Sequence, residues 1–238
     1  MLRIIDARTG NPVDATPARR GLARVEAHVG GYDTTALRVL LAADVLVRAL
    51  ELGGTPVWSL LSTEGDRAEL RAGAAALGMR PFEDGGEAEA GLGAAQVIHV
   101  VGDGDEGAVP DGVRIAVAPV AGTPGEADPA VLRLALLSRR RDLPVRLDAD
   151  VLSDAHDTLV RWRRSVAGWA RQPSRPVPEE VRAELRTAWE DDLDMPGVLR
   201  TLRRIETSGL PEGARFETYA YADRLLGLEL TRDIGALA

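Results

Sequence analysis

Two glycine pairs divide the early part of the chain into a strand, a long amphipathic helix and a second strand, and that order leaves few folds open. The run Ala23–Val29 is strand-like, though broken by Glu26 and His28, and Gly30-Gly31 ends it. Asp33 or Thr34 can then cap a helix reaching residue 52, with Leu37, Leu40, Leu41, Val45 and Leu46 on its apolar side. Gly53-Gly54 stops that helix, and Pro56-Val57-Trp58-Ser59-Leu60-Leu61 reads as the next buried strand. A strand, helix and strand joined this way make a right-handed crossover and belong to a parallel sheet. A helix over 66–77 follows, then an acidic, glycine-rich loop over 83–93, then short strands over 96–101 and 113–118.

After Gly122-Thr123-Pro124-Gly125 the periodicity becomes purely helical. Asp128 followed by Pro129 is an N-cap with proline in the first turn. Leu152, Ala155, Leu159, Trp162, Val166 and Trp169 recur at steps of three and four, the stripe a helix buries against other helices. Val181, Leu185 and Ala188 mark a third helix, Val198, Leu202 and Ile205 a fourth, and Phe216, Tyr219 and Leu226 a fifth. The expected organisation is an α/β half over 1–125 and a helical bundle over 126–238.

Composition narrows the function classes. Cysteine is absent, which rules out disulfides and thiolate metal sites within the chain. All 29 basic residues are arginine, and the net charge is −8, so the positive footprint of a non-specific nucleic-acid binder is missing. No long apolar run suggests a signal peptide or a membrane span, and the expectation is a cytoplasmic protein that does not engage a membrane.

Several stretches resemble the cysteinyl-tRNA synthetase family, including its small-molecule branch, the ligases that join cysteine to glucosaminyl-inositol in mycothiol synthesis. The run Asp128-Pro129-Ala130-Val131-Leu132-Arg133-Leu134-Ala135-Leu136-Leu137-Ser138 is similar to the segment opening that family's helical domain. Residues 152–162 continue it, Asp191-Asp192-Leu193-Asp194-Met195-Pro196 resembles a later acidic motif, and Leu225-Leu226-Gly227-Leu228 resembles the closing helix. At the front, Leu2-Arg3-Ile4-Ile5-Asp6 is similar to the opening strand. Gly31-Tyr32-Asp33 with the helix Ala42-Ala43-Asp44-Val45-Leu46-Val47-Arg48 is similar to the first βα unit. The resemblance implies a class I synthetase-like, Rossmann-type parallel nucleotide-binding half followed by the helical bundle. It also implies ATP as the candidate cofactor.

The chain departs from that family where the family does chemistry. The His-x-Gly-His turn that stabilises the triphosphate at the first helix is matched by Ala36-Leu37-Arg38-Val39. The lysine-rich loop is matched by Val120-Ala121-Gly122-Thr123-Pro124-Gly125, in a chain without lysine. The family's zinc, held by two Cys, a His and a Glu, has no thiolates here, although His28 falls near the first of those cysteines. On this resemblance the chain reads as a truncated, degenerate relative, and no zinc is expected.

Other motifs have plainer readings. Gly102-Asp103-Gly104-Asp105-Glu106-Gly107 fits a dinucleotide fingerprint, but Pro110 follows where a helix is needed, so a surface turn is expected. His28, His99 and His156 lie on different elements without metal-ligand spacing. Arg139-Arg140-Arg141, Arg161, Arg163 and Arg164 read as solvated helix faces, Asp194 as a helix cap, and Trp58, Trp162, Trp169 and Trp189 as core.

A ligand crevice is expected beyond the carboxyl ends of the strands, gathering His28, Gly30, Gly31, Tyr32 and Asp33, with Arg38 as an anion contact. Three functions fit: a catalytically degenerate protein binding an amino acid, an adenylate-like molecule or a protein partner; an ATP-dependent ligase forming a cysteinyl-type adenylate; or an accessory subunit of a full-length synthetase. None of the three gives tRNA a role as partner.

Overall fold

The computed structural model describes residues 1–16, 21–85, 96–105 and 109–236. Five parallel strands form its main sheet, in the order β5-β4-β3-β6-β7. These are β3 (Ala23–Val29), β4 (Val57–Thr63), β5 (Glu83–Asp84), β6 (Gln96–Gly102) and β7 (Val113–Val117). The sheet grows from β3 outward to β4 and β5, then restarts on the other side of β3 with β6. The junction of β3 and β6 is therefore the topological switch point, where open parallel sheets place their ligands.

Helix α1 (Thr34–Leu52) fills the crossover from β3 to β4, and the Asp33 carboxylate caps it by accepting from the Ala36 N–H at 2.6 Å. Its apolar side packs on one face of the sheet, where Val25, Ala27, Ile98 and Val100 are fully buried. Helix α2 (Arg67–Ala76) is capped by Asp66. Two small sheets lie outside the main one. β1 (Arg3–Ile5) pairs antiparallel with β2 (Pro12–Asp14), and β8 (Val120–Ala121) pairs parallel with β9 (Val145–Arg146). The opening strand thus belongs to its own hairpin, and a segment expected as turn makes a short ladder.

Helices α3 (Pro129–Leu137), α4 (Ala149–Trp169), α5 (Glu179–Glu190), α6 (Met195–Glu206) and α7 (Glu212–Leu226) form the helical region, and one hydrophobic core runs continuously from it into the sheet. Trp162, Trp169 and Tyr219 meet edge to face at its centre. Asp194 caps α6 as expected. Trp58 is only half-buried and donates its Nε1–H to Glu83 at 2.7 Å, so it is not a core residue. Residues 86–93 of the expected acidic loop, and Glu106 and Gly107 of the glycine-rich motif, lie outside the described residues; Glu83 and Asp84 are strand.

Two of the sequence stretches that carry the family resemblance meet in one buried contact. Arg133 of α3, fully buried, donates to the Asp44 carboxylate of α1 at 2.7 Å and to the carbonyls of Leu77 and Leu226. Asp44 also accepts from Arg48 and from the backbone N–H of Arg80. The pair is satisfied on both sides, which a buried charge requires.

Candidate functional site

Strand β3 shows two chemically different faces. Ala23, Val25, Ala27 and Val29 are buried with the apolar core, and the alternate residues Arg24, Glu26 and His28 point to the other face. Strand β6 pairs with β3 in the register Glu26↔His99, which puts His99 on that same second face. The result is a cluster of three: His28 Nε2 lies 2.9 Å from His99 Nδ1, while the Glu26 carboxylate stands 3.9 Å from His28 and 3.7 Å from His99. Arg24 donates to the second Glu26 oxygen at 3.0 Å.

The cluster is enclosed. The side chains of His99 and Glu26 are 2% and 8% exposed, and that of His28 is 17% exposed. A Cβ added to Gly85 would come within 3.0 Å of Glu26 Oε1, and one added to Gly112 within 2.8 Å of the His99 ring. Both glycines leave the room these side chains occupy. Burial holds both imidazoles below their ordinary pKa, against the opposing pull of the Glu26 carboxylate, so both are neutral near pH 7. The Nε2 of His99 is buried with no hydrogen-bond partner.

Beyond the end of β3 the chain turns through Gly30, Gly31, Tyr32 and Asp33. Gly65, in the turn after β4, packs so closely on this segment that an added Cβ would stand 2.8 Å from the Gly31 Cα. At Gly30 and Gly31 themselves an added Cβ would meet open space. Tyr32, 46% exposed, lays its ring over Gly73 of α2. A crevice of about 500 Å³ opens here between the start of α1, α2 and the 122–125 turn, with Tyr32, Asp33, Thr35, Gly122, Thr123 and Leu132 among its walls. The Thr35 hydroxyl accepts from the backbone N–H of Val120, which fixes that turn beside the helix. The described residues lining the crevice include no arginine.

Arg38 does not stand at this crevice. It is 3% exposed and donates to the carbonyls of Ala118 at 2.7 Å, Leu143 at 2.9 Å and Arg140 at 2.7 Å. Burial draws its pKa down to about 10, which still leaves it charged near neutrality. Its place one turn into α1 points it toward the loops after β7 and α3, so the expected anion contact is a clamp between elements. His156 lies exposed on α4, outside the histidine cluster. Of the arginines expected in solvent, Arg141 pairs with Asp192 and Arg163 donates to the carbonyls of Leu228 and Glu229. Asp192, read before only as part of a helix break, is buried and also accepts from the Ile5 N–H and Arg140. A larger groove of about 730 Å³ beside α3 and α4 mixes Arg139, Arg146, Arg161 and Arg203 with Asp148, Asp154 and Asp157, and no set of groups converges there on one point.

Glu26 and His99 were absent from the expected site. The signal was present in part: Glu26 and His28 sit two apart on a strand and must share a face. Which strand lies beside them is not written locally. The thiolate zinc set implied by the resemblance cannot be assembled from this chain, and the groups the fold gathers instead are two imidazoles and a carboxylate. Among the described residues no helix is long and apolar enough to cross a membrane.

No family model matches the chain. Curated relatives do. Over 110 residues, 44% of this chain, it is 39% identical to the L-cysteine:1D-myo-inositol 2-amino-2-deoxy-alpha-D-glucopyranoside ligase of Streptosporangium roseum. The ligases of the same name from Streptomyces griseus and Rhodococcus jostii are 38% identical over 108 residues and 37% identical over 112. These matches span 26%, 25% and 26% of the relatives' own lengths, so the chain is similar to about a quarter of a cysteine ligase of this kind.

Proposed function

We propose that the chain is a synthetase-like protein, of the cysteinyl-tRNA synthetase family, that binds a small amino-acid-type or adenylate-like molecule in the crevice at the carboxyl edge of the sheet without forming an adenylate. On this reading residues 1–125 carry the binding half, and 126–238 form the bundle that supports it. One observation carries the proposal: the start of α1, where a polyphosphate would be held, is occupied by the protein's own Asp33 carboxylate on the Ala36 N–H. A helix N-terminus favours an anion, and here a fixed one is already in place. Arg38, the cation nearest in sequence, spends its guanidinium on three carbonyls. A phosphoryl-transfer transition state in this crevice would meet a carboxylate and no cation from the described lining. One preorganised donor lost from such a site costs roughly 3–4 kcal/mol, and this crevice lacks several.

Binding asks less of the site. Tyr32 offers a ring and a hydroxyl, Asp33 a partner for an amine, and Gly30 and Gly31 leave open space beside the backbone. A second reading, an ATP-dependent cysteine ligase, is supported by the printed activity of the relatives at 39% and 38% identity. Cysteine-dependent ATP–pyrophosphate exchange separates the two. Exchange is expected at background, while cysteine or a cysteinyl-sulfamoyl adenosine raises the melting temperature of the wild type and does so less for Tyr32→Ala. Exchange at an enzymatic rate establishes the ligase instead. Equal shifts in both proteins remove the crevice from consideration.

A further inference from the structure

We propose that Glu26, His28 and His99 form a binding site for one divalent transition-metal ion, of which zinc is the best match, at the junction of β3 and β6. The inference does not rest on the crevice reading above, because the cluster lies on the second face of the sheet and uses none of the crevice's walls except through the continuity of β3.

The donor set comes first. Two imidazoles and one carboxylate suit zinc, cobalt or nickel, and they exclude the thiolate chemistry that soft metals favour. Two neutral imidazoles offer lone pairs without a proton having to leave, and the buried carboxylate supplies the balancing charge. The distances agree. Ligand atoms around a tetrahedral zinc, bonded at about 2.0–2.2 Å, stand about 3.3 Å from one another. The three separations in the cluster, 2.9, 3.7 and 3.9 Å, bracket that value, so shifts of under about 1 Å would complete the shell.

The surroundings fit a built site. At 3.7 and 3.9 Å the Glu26 carboxylate is too far from either ring nitrogen for a hydrogen bond, and the two imidazoles share only one contact between them. Three electron-rich groups thus converge with little to hold them together, an arrangement a cation resolves. Arg24 binds Glu26 Oε2 and leaves Oε1, the oxygen nearer His28, for the ion; it would act as the outer partner that orients a ligating carboxylate. Its positive charge also opposes the ion and sets a limit on affinity. Gly85 and Gly112 press on Glu26 and His99 from positions where any side chain would collide. His28 is the most exposed of the three and marks the side from which an ion and a fourth, solvent-derived ligand can enter.

The test uses the whole, tag-free chain, stripped with a chelator and titrated with zinc and, separately, with cobalt(II). One equivalent of zinc by elemental analysis is expected for the wild type, with visible cobalt absorption of a low-coordinate nitrogen–oxygen site. His28→Ala should weaken zinc binding at least about a hundredfold, since loss of an outer partner alone costs ten- to a hundredfold. Glu26→Gln, which keeps the size of the side chain, should weaken it too, and His156→Ala should change nothing. Should His99→Ala fail to fold, His28→Ala decides, because its side chain is at the rim. A wild type that takes up no zinc, or a folded His28→Ala that retains the full equivalent at unchanged affinity, overturns the site.

Discussion

The helical region and the sheet treat their buried polar groups in opposite ways. In the helical region Tyr219 donates to the Leu202 carbonyl, Thr218 to Ala214, Thr201 to Gly197 and Arg163 to Leu228, so these polar side chains are tied to backbone wherever the core closes over them. On the second face of the sheet Glu26, His28 and His99 converge with one short contact among them and with His99 Nε2 left over. Satisfied polar burial is scaffold, since an unpaired buried group costs stability with nothing in return. Unsatisfied polar burial persists where another use maintains it, and functional sites are where local consistency is expected to fail.

Three substitutions press on that contrast. The largest effect should come from Arg133→Ala, which removes a fully buried charge and leaves Asp44 without its inter-helix partner. A loss of about 3–5 kcal/mol in urea unfolding is expected. A loss below about 1 kcal/mol would mean that the Asp44 pair does not join the two regions. Next comes Leu159→Ala, at a side chain 2% exposed in the α4 stripe, where a buried large-to-small change costs about 2–5 kcal/mol. An effect of surface size, within about 0.5 kcal/mol, would remove α4 from the core. The smallest belongs to His28→Ala in the metal-free protein, expected within about 0.5 kcal/mol of wild type by the same measurement. A cost of 2 kcal/mol or more would turn the histidine cluster from a site into scaffold and reverse the comparison.

The same divide runs through what could be read from residues. The caps at Asp33, Asp128 and Asp194 stand where the chain signals them, and α1, α3, α4 and α6 follow from them. Of the expected site, Tyr32 and Asp33 do line a crevice. Arg38 was misplaced because a sequence shows that a residue starts a helix but not what packs over that turn. The carbonyls that hold Arg38 belong to residues 80, 102 and 105 positions away. Glu26 and His99 were missed for a related reason. A histidine in an apolar strand looks like core until its neighbour is known.

Hydrophobic period, glycine stops and helix caps act within a few residues, so the sequence by itself determined the element order, the α/β character of the first half and the helical character of the second. Strand order is a different quantity. It depends on which apolar faces the crossover helices bury together, and many pairings satisfy the same local pattern. Only the tertiary structure could place β6 beside β3 and so bring His99 to His28 across 71 residues. It likewise closed Arg133 on Asp44 across 89 residues, because a buried charge settles where its partner can follow it out of water.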